Sequence, residues 1–137
     1  MEGDWSDIRM GYVVRVDIFT KVEPSLNKST YHAGDNLQFK VTLYGEEMVD
    51  LYVGVIFPQG QFKNMTYPME LSADNVFLPY QTGIQLSKEK TMNILDIELP
   101  AIAPGDYQAC GLLTQTQSDP NNEANWLLLD CKGFHFQ

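Results

Sequence analysis

Cys110 and Cys131 are the two cysteines of the chain, and they bracket the stretch CGLLTQTQSDPNNEANWLLLDC. Two sulfurs so placed can form a structural bridge, stay as buried free thiols, or serve redox or metal chemistry. There is no Cys-x-x-Cys spacing, and Lys132 is the one basic neighbour, so no activated thiolate is expected. If the two apolar runs around the polar tip pair as a hairpin, the sulfurs fall across an antiparallel pair. Cα atoms there lie near ~5.5 Å, a span that a disulfide can bridge. Closing a loop of about 20 residues stabilises by roughly 3 kcal/mol in the chain-entropy model. The disulfide is the leading reading, and it implies an oxidising compartment.

At the tip, Asp119, Asn121 and Glu123 place hard oxygen donors at alternating positions, a set that suits calcium. The twelve-residue pattern and glycine of an EF-hand are missing, so a solvated loop of turn formers competes with that reading. His32 and His135 are far apart in sequence, and zinc wants four ligands, or three and a water. The cysteines complete such a set only by giving up their bridge. Met48, Met65, Met69 and Met92 form no cluster with histidine and read as core filling. Gly-x-Ser-x-Gly, His-Glu-x-x-His, the phosphate-binding loop and the dinucleotide fingerprint are all absent from the sequence, so no enzyme is expected. The acid pairs Glu46/Glu47 and Asp96/Glu98 read as solvated surface, and the acceptor patterns at Asn27 and Asn64 carry no weight.

The aromatics offer a binding chemistry. Tyr52, Tyr67, Phe77, Tyr80 and Trp126 fall at expected strand ends or in the 67–80 segment. A platform of such rings can stack on sugars or anchor a protein partner. Covering the open end of a core is the competing role.

The elements that must hold these residues have period two. NLQFKVTLY (36–44) sets Leu37, Phe39, Val41 and Leu43 on one face, with Gln38, Lys40 and Thr42 on the other. YVVRVDIFT (12–20) alternates more loosely. VDLYVGVIF (49–57) is apolar on both faces and reads as a central strand, ended by Pro58-Gln59-Gly60. A short strand at 61–67 near a sheet edge, a long loop over 68–82 and a short strand at 83–87 follow. TMNILDIEL (91–99) alternates through Leu95, Ile97 and Leu99, and 106–116 and 125–136 form the last hairpin. The edge at 61–67 leaves assembly by added strands open.

The expected class is therefore all-β, an antiparallel sandwich of seven or eight strands. Residues 1–11 read as a flexible leader and 12–137 as one domain. Nine Lys and Arg against 18 Asp and Glu give a net charge of -9, which disfavours nucleic acid and acidic membrane surfaces. No apolar run is long enough to span a membrane. The first residues lack the basic and apolar regions of a signal peptide, so the compartment rests on the cysteines.

Tyr31-His32-Ala33-Gly34-Asp35 before an alternating strand, DLYVGVIFPQGQF (50–62), and PGDYQACG (104–111) with DPNNEANW (119–126) and a closing GFHF form a set. Together they resemble the bacterial immunoglobulin-like modules of secreted and surface proteins, over about residues 31–136. That resemblance implies an immunoglobulin-like β-sandwich without shared catalytic residues. Gly34 and Gly105 stand where the chain reverses and a positive φ is often needed. Tyr107, after Gly105 and Asp106, suits a tyrosine corner. Ala109 stands where such domains carry a bridging cysteine, so the usual inter-sheet bridge is not this pair.

The expected function is a non-catalytic extracytoplasmic interaction or structural module, secreted, periplasmic or on the cell surface. It would present loops 67–80 and 115–125 to a protein partner or parent polypeptide. The alternative is a carbohydrate-binding module, calcium-assisted or not, that targets an attached enzyme to glycan.

Overall fold

The computed structural model describes residues 20–67 and 69–137. The expected strand over 12–20 lies outside that range except for Thr20, which is not in a strand; the leader at 1–11 lies wholly outside. Ten strands follow one another among the described residues: β1 (Lys21–Leu26), β2 (Thr30–Tyr31), β3 (Asn36–Gly45), β4 (Met48–Ile56), β5 (Phe62–Thr66), β6 (Glu70–Leu71), β7 (Gln81–Gln85), β8 (Lys88–Glu98), β9 (Gly105–Gln115) and β10 (Trp126–Phe136). They form a three-stranded sheet, β1-β3-β8, and a seven-stranded sheet, β2-β10-β9-β4-β5-β6, with β7 also on β4. The all-β class holds. No helix among the described residues is long and apolar enough to cross a membrane.

The strand count exceeds the expected seven or eight. β2 and β6 are two residues each, too short to carry any periodicity, and β1 contains Pro24. Proline is tolerated there because, among the described residues, β1 pairs only with β3, so its missing N–H faces away from the ladder. The expected all-antiparallel pairing also needs correction, because β2 runs parallel to the end of β10. A third correction concerns β8. A bulge between the Leu95 and Asn93 pairings leaves Ile94 extra, and Ile94 becomes the buried residue while Leu95 and Ile97 are half-buried.

The core lies between the sheets. Val22, Phe39, Val41 and Leu43 come from one side; Val49, Leu51, Val53, Tyr107, Ala109, Leu113, Phe134 and Phe136 come from the other. Gly111 lets them close: a Cβ there would stand 2.7 Å from a Val22 methyl. Tyr107 stacks on Phe134 with centroids 5.2 Å apart, and its hydroxyl donates to the Ala103 carbonyl at 2.6 Å. That bond runs four residues back along the chain, the geometry of a tyrosine corner. Gly34 and Gly105 take φ values of 91° and 144°, where a side chain is strained.

β5 is not an open edge. The Asn64 amide N–H donates to Ser72 Oγ and the Asn64 carbonyl accepts from the Ser72 amide. Asn75 closes on Phe62 in the same two-way fashion. The β5 groups that an added strand would need are occupied by β6 and the segment after it, so β5 is not the last strand of its sheet. Within the expected 68–82 loop the chain forms β6 and enters β7 at Gln81, and residues 72–80 lack a pattern because side-chain-to-backbone bonds order them, not alternation.

Candidate functional site

Strand alternation puts a second set of residues on the face of the seven-stranded sheet turned away from the core. Tyr52, Gly54 and Ile56 of β4 lie beside Cys110 and Leu112 of β9, with Phe62 and Asn64 of β5 on one flank and Leu129 of β10 on the other. This face is apolar too, as the two-sided composition of 49–57 foretold. Two segments cover it. Phe77, from the segment after β6, sits 4.9 Å from the Phe62 ring, 6.0 Å from Tyr52 and 6.2 Å from Trp126. Trp126 stands at the base of the hairpin tip, and its indole N–H donates to the Pro120 carbonyl at 2.7 Å.

The cover is incomplete. A slot of about 170 Å³ remains, lined by Tyr52, Phe62, Asn64, Phe77, Trp126 and Leu129 over a floor of Gly54 and Cys110. Glycine in a strand interior marks a close approach. At Gly54 a Cβ would meet the Lys63 carbonyl at 2.5 Å and Asn64 Nδ2 at 2.9 Å. Asn64 is 5% exposed; its Oδ1 accepts from the Leu78 amide at 2.8 Å. Among the described residues its Nδ2 has only a long contact, 3.5 Å, to the Val53 carbonyl. A buried amide donor is therefore under-used at the slot floor.

Outside the slot, apolar side chains continue along the covering segment. Tyr67 is 71% exposed, Met69 55% and Leu71 54%, and Val76 and Leu78 flank Phe77 in the open. Burial pushes the Tyr52 phenol pKa up, and the negative charges of Asp50 and Asp119 push it further the same way. Asp50 is buried, accepting from the Gly83 amide at 2.9 Å, the Gln117 amide at 3.0 Å and the Thr116 hydroxyl. It thereby fixes the start of the hairpin tip, where Gln117 has φ of 60°. Thr114, between Asp50 and Trp126 in the ladder, keeps a buried hydroxyl with no partner among the described residues.

Cys110 and Cys131 face each other across β9 and β10 and are joined by a disulfide, with Cα atoms 4.0 Å apart. That is closer than the expected ~5.5 Å because close pairs of an antiparallel ladder are the non-hydrogen-bonded ones. Of the expected binding aromatics, Phe77 and Trp126 meet at the slot. Tyr67 and Tyr80 pack against each other, 5.7 Å apart, and Tyr80 is buried, pinned by its amide to the Leu51 carbonyl. Tyr80 is therefore corrected from a surface ring to a supporting one.

The calcium set does not converge. Asp119 Oδ1 accepts from both the amide and the Nδ2 of Asn121, so Asn121 turns donors toward it. Asn122 Oδ1 caps the 3-10 turn Glu123–Asn125. Among the described residues no three His, Cys, Asp or Glu side chains gather as metal ligands. His135 Nδ1 lies 2.8 Å from Asp106, while His32 bonds Gln137 and lies near Asp35. Asp35 Oδ2 accepts from the His32 amide, which holds its carboxyl below the usual range. Asn64 is buried, so its acceptor pattern is closed to modification.

Sequence reasoning named Phe77, Trp126 and Tyr52 but missed Gly54, Asn64, Asp50 and Leu129. A glycine and a lone acid inside an otherwise apolar central run were the available signals.

No protein-family model matches the chain, and no curated protein does. Among solved structures, the sporulation control protein Spo0M of Bacillus subtilis is similar at 16% identity and TM-score 0.46, over 87% of this chain and 49% of its own. The alkylpurine DNA glycosylase AlkC of Pseudomonas fluorescens is similar at 12% identity and TM-score 0.42, over 86% of this chain and 31% of its own. A beta-glucosidase of Listeria innocua is similar at 14% identity and TM-score 0.31, over 86% and 16%. This chain thus spans half or less of the length of each. Likenesses of this strength assign no activity.

Proposed function

We propose that the chain is a non-catalytic, immunoglobulin-like binding module of an oxidising compartment outside the cytoplasm, presenting segments 67–80 and 115–125 to a protein partner. The carrying observation is the ring contact between Phe77 and Trp126, which brings the two segments side by side at one apolar slot. Leu129, which lines that slot, is 47% exposed, and Tyr67, Met69 and Leu71 of the first segment are exposed as well; apolar exposure of this kind is typical of interaction sites. The tyrosine corner at Tyr107 and the covering of both sheet faces support the sandwich assignment. The disulfide supports the compartment, since such bonds persist where thiols are not kept reduced. A net charge of -9 argues against nucleic acid as the partner.

Glycan is the rival ligand. Burial of Tyr52 and Tyr80 counts against it, because a sugar-stacking platform needs open ring faces. Photo-crosslinking tests the reading in the cells that make the protein. A benzophenone amino acid at Leu71 should give protein adducts, and the same probe at Thr42, on the three-stranded sheet, should not. Equal adducts at both positions, or none at either, would sink the proposal.

A further inference from the structure

We infer that the slot receives one bulky apolar side chain from a cationic segment of the protein partner, with a main-chain carbonyl of that segment accepting from Asn64 Nδ2. The inference rests on the protein-binding reading above and names the chemistry that the partner must carry. Three features converge on it. The slot's volume of about 170 Å³ suits a single ring or branched aliphatic side chain and little more. Its walls are rings, Tyr52, Phe62, Phe77 and Trp126, which favour edge-to-face contact with an entering side chain. At its floor the under-used Asn64 amide offers a donor, and the missing side chain of Gly54 leaves that donor its place.

The occupant's class follows from charge and extent. Asp50 and Asp119 are near enough to act on Tyr52 at the slot, and the chain as a whole carries nine more acids than bases. A cationic partner gains from that field, whereas a second copy of this chain is repelled by it. Apolar exposure at Leu129 in the slot wall and at Val76 and Leu78 on either side of Phe77 offers more surface than a small molecule would fill. A glycan would bring many hydroxyls to a lining whose one amide donor is Asn64's.

The test is an NMR titration of the full chain with blocked pentapeptides, Lys-Lys-X-Lys-Lys, where X is Phe or Ala, and a Glu-flanked Phe peptide. The Phe peptide should shift the Gly54 and Asn64 amides and the Trp126 indole. It should bind at least about tenfold more tightly than the Ala peptide, as burial of one large apolar side chain requires. The Glu-flanked peptide should bind several-fold more weakly. Leu129→Lys, at a half-exposed position where folding tolerates the change, should weaken the Phe peptide about tenfold without moving the Tm.

Equal affinity for Phe and Ala, shifts confined to other surfaces, or no effect of Leu129→Lys overturns the inference. So does displacement of the peptide by methyl glucoside, or concentration-dependent shifts without peptide, which would give the slot to a sugar or a second copy. Crosslinks from Leu71 with an unresponsive slot would leave the protein-binding reading standing and remove this one. Loss of those crosslinks removes the broader reading, whatever the peptides do.

Discussion

On the three-stranded sheet, β3 buries Leu37, Phe39, Val41 and Leu43 and leaves Asn36, Gln38, Lys40, Thr42 and Tyr44 in partial or full contact with solvent. On the seven-stranded sheet, β4 buries Val49, Leu51 and Val53 against the core and Asp50 and Tyr52 on the opposite face. The first sheet needs one cover and has one, its partner sheet. The second needs two, and the chain supplies the outer one from irregular segments: Phe77 between β6 and β7, and Trp126 below the hairpin tip. Irregular segments pack less completely than a sheet, so a slot remains on that side. The outer face of the three-stranded sheet instead carries polar pairs such as Thr42 with Thr91 and Asn36 with Asp96. That partly covered apolar area is where the proposed recognition surface lies.

Substitution sharpens this contrast. Tyr52→Ala empties the covered outer face and should cost about 3–5 kcal/mol, as for other large buried rings. Chemical denaturation measures it, and a cost below about 1 kcal/mol, as for surface changes, would mean that the outer face is not a second core. Replacing Cys110 and Cys131 together by Ser releases a bridge with a sequence separation of 21. About 3 kcal/mol should be lost, and the Trp126 environment should change with it, followed by denaturation with fluorescence detection. Tyr107→Phe removes the bond to Ala103 and should cost about 1 kcal/mol.

The pH dependence is smaller and has a definite sign. Burial, the largest cause in each case, raises the phenol pKa of Tyr31, Tyr52, Tyr80 and Tyr107. A group raised in the fold contributes stability that is full below the ordinary tyrosine value near 10 and is lost as pH rises through the folded value. Melting temperature should therefore fall in the alkaline range, with phenolate absorbance lagging that of the unfolded chain. Asp119→Asn should bring Tyr52 ionisation to lower pH, because one of the charges opposing it is gone. Smallest of all is Thr42→Ala, expected within about 0.5 kcal/mol; a larger cost would break the comparison from the other side.

Much of the fold was legible where periodicity is strong. β3 follows its alternation residue for residue, and β4 reads as central from its two-sided apolarity. The hairpin of β9 and β10 reads from its paired apolar runs. β8 departs because a bulge breaks the parity, and nothing in TMNILDIEL marks which residue is extra. β1 was missed because proline argues against a strand until its edge position is known. Of the site, ring-bearing residues were legible by type, but not which of them stay open: Tyr67 is exposed while Tyr80, thirteen positions on, is buried beneath it.

Local chemistry by itself determined the all-β class, the strands with clean alternation, the turns at Gly34 and Gly105, and an acidic surface. These depend on residue type and near neighbours, which a sequence states directly. Only the tertiary structure decided that Cys110 faces Cys131, that the 72–78 segment seals β5, and that Phe77 meets Trp126 over Gly54. Those contacts join positions from 8 residues apart, as in Asn64 with Ser72, to 21 in the disulfide and more for Phe77 with Trp126, through ladder register and packing. Register is a property of two strands together, and no single stretch of sequence contains it.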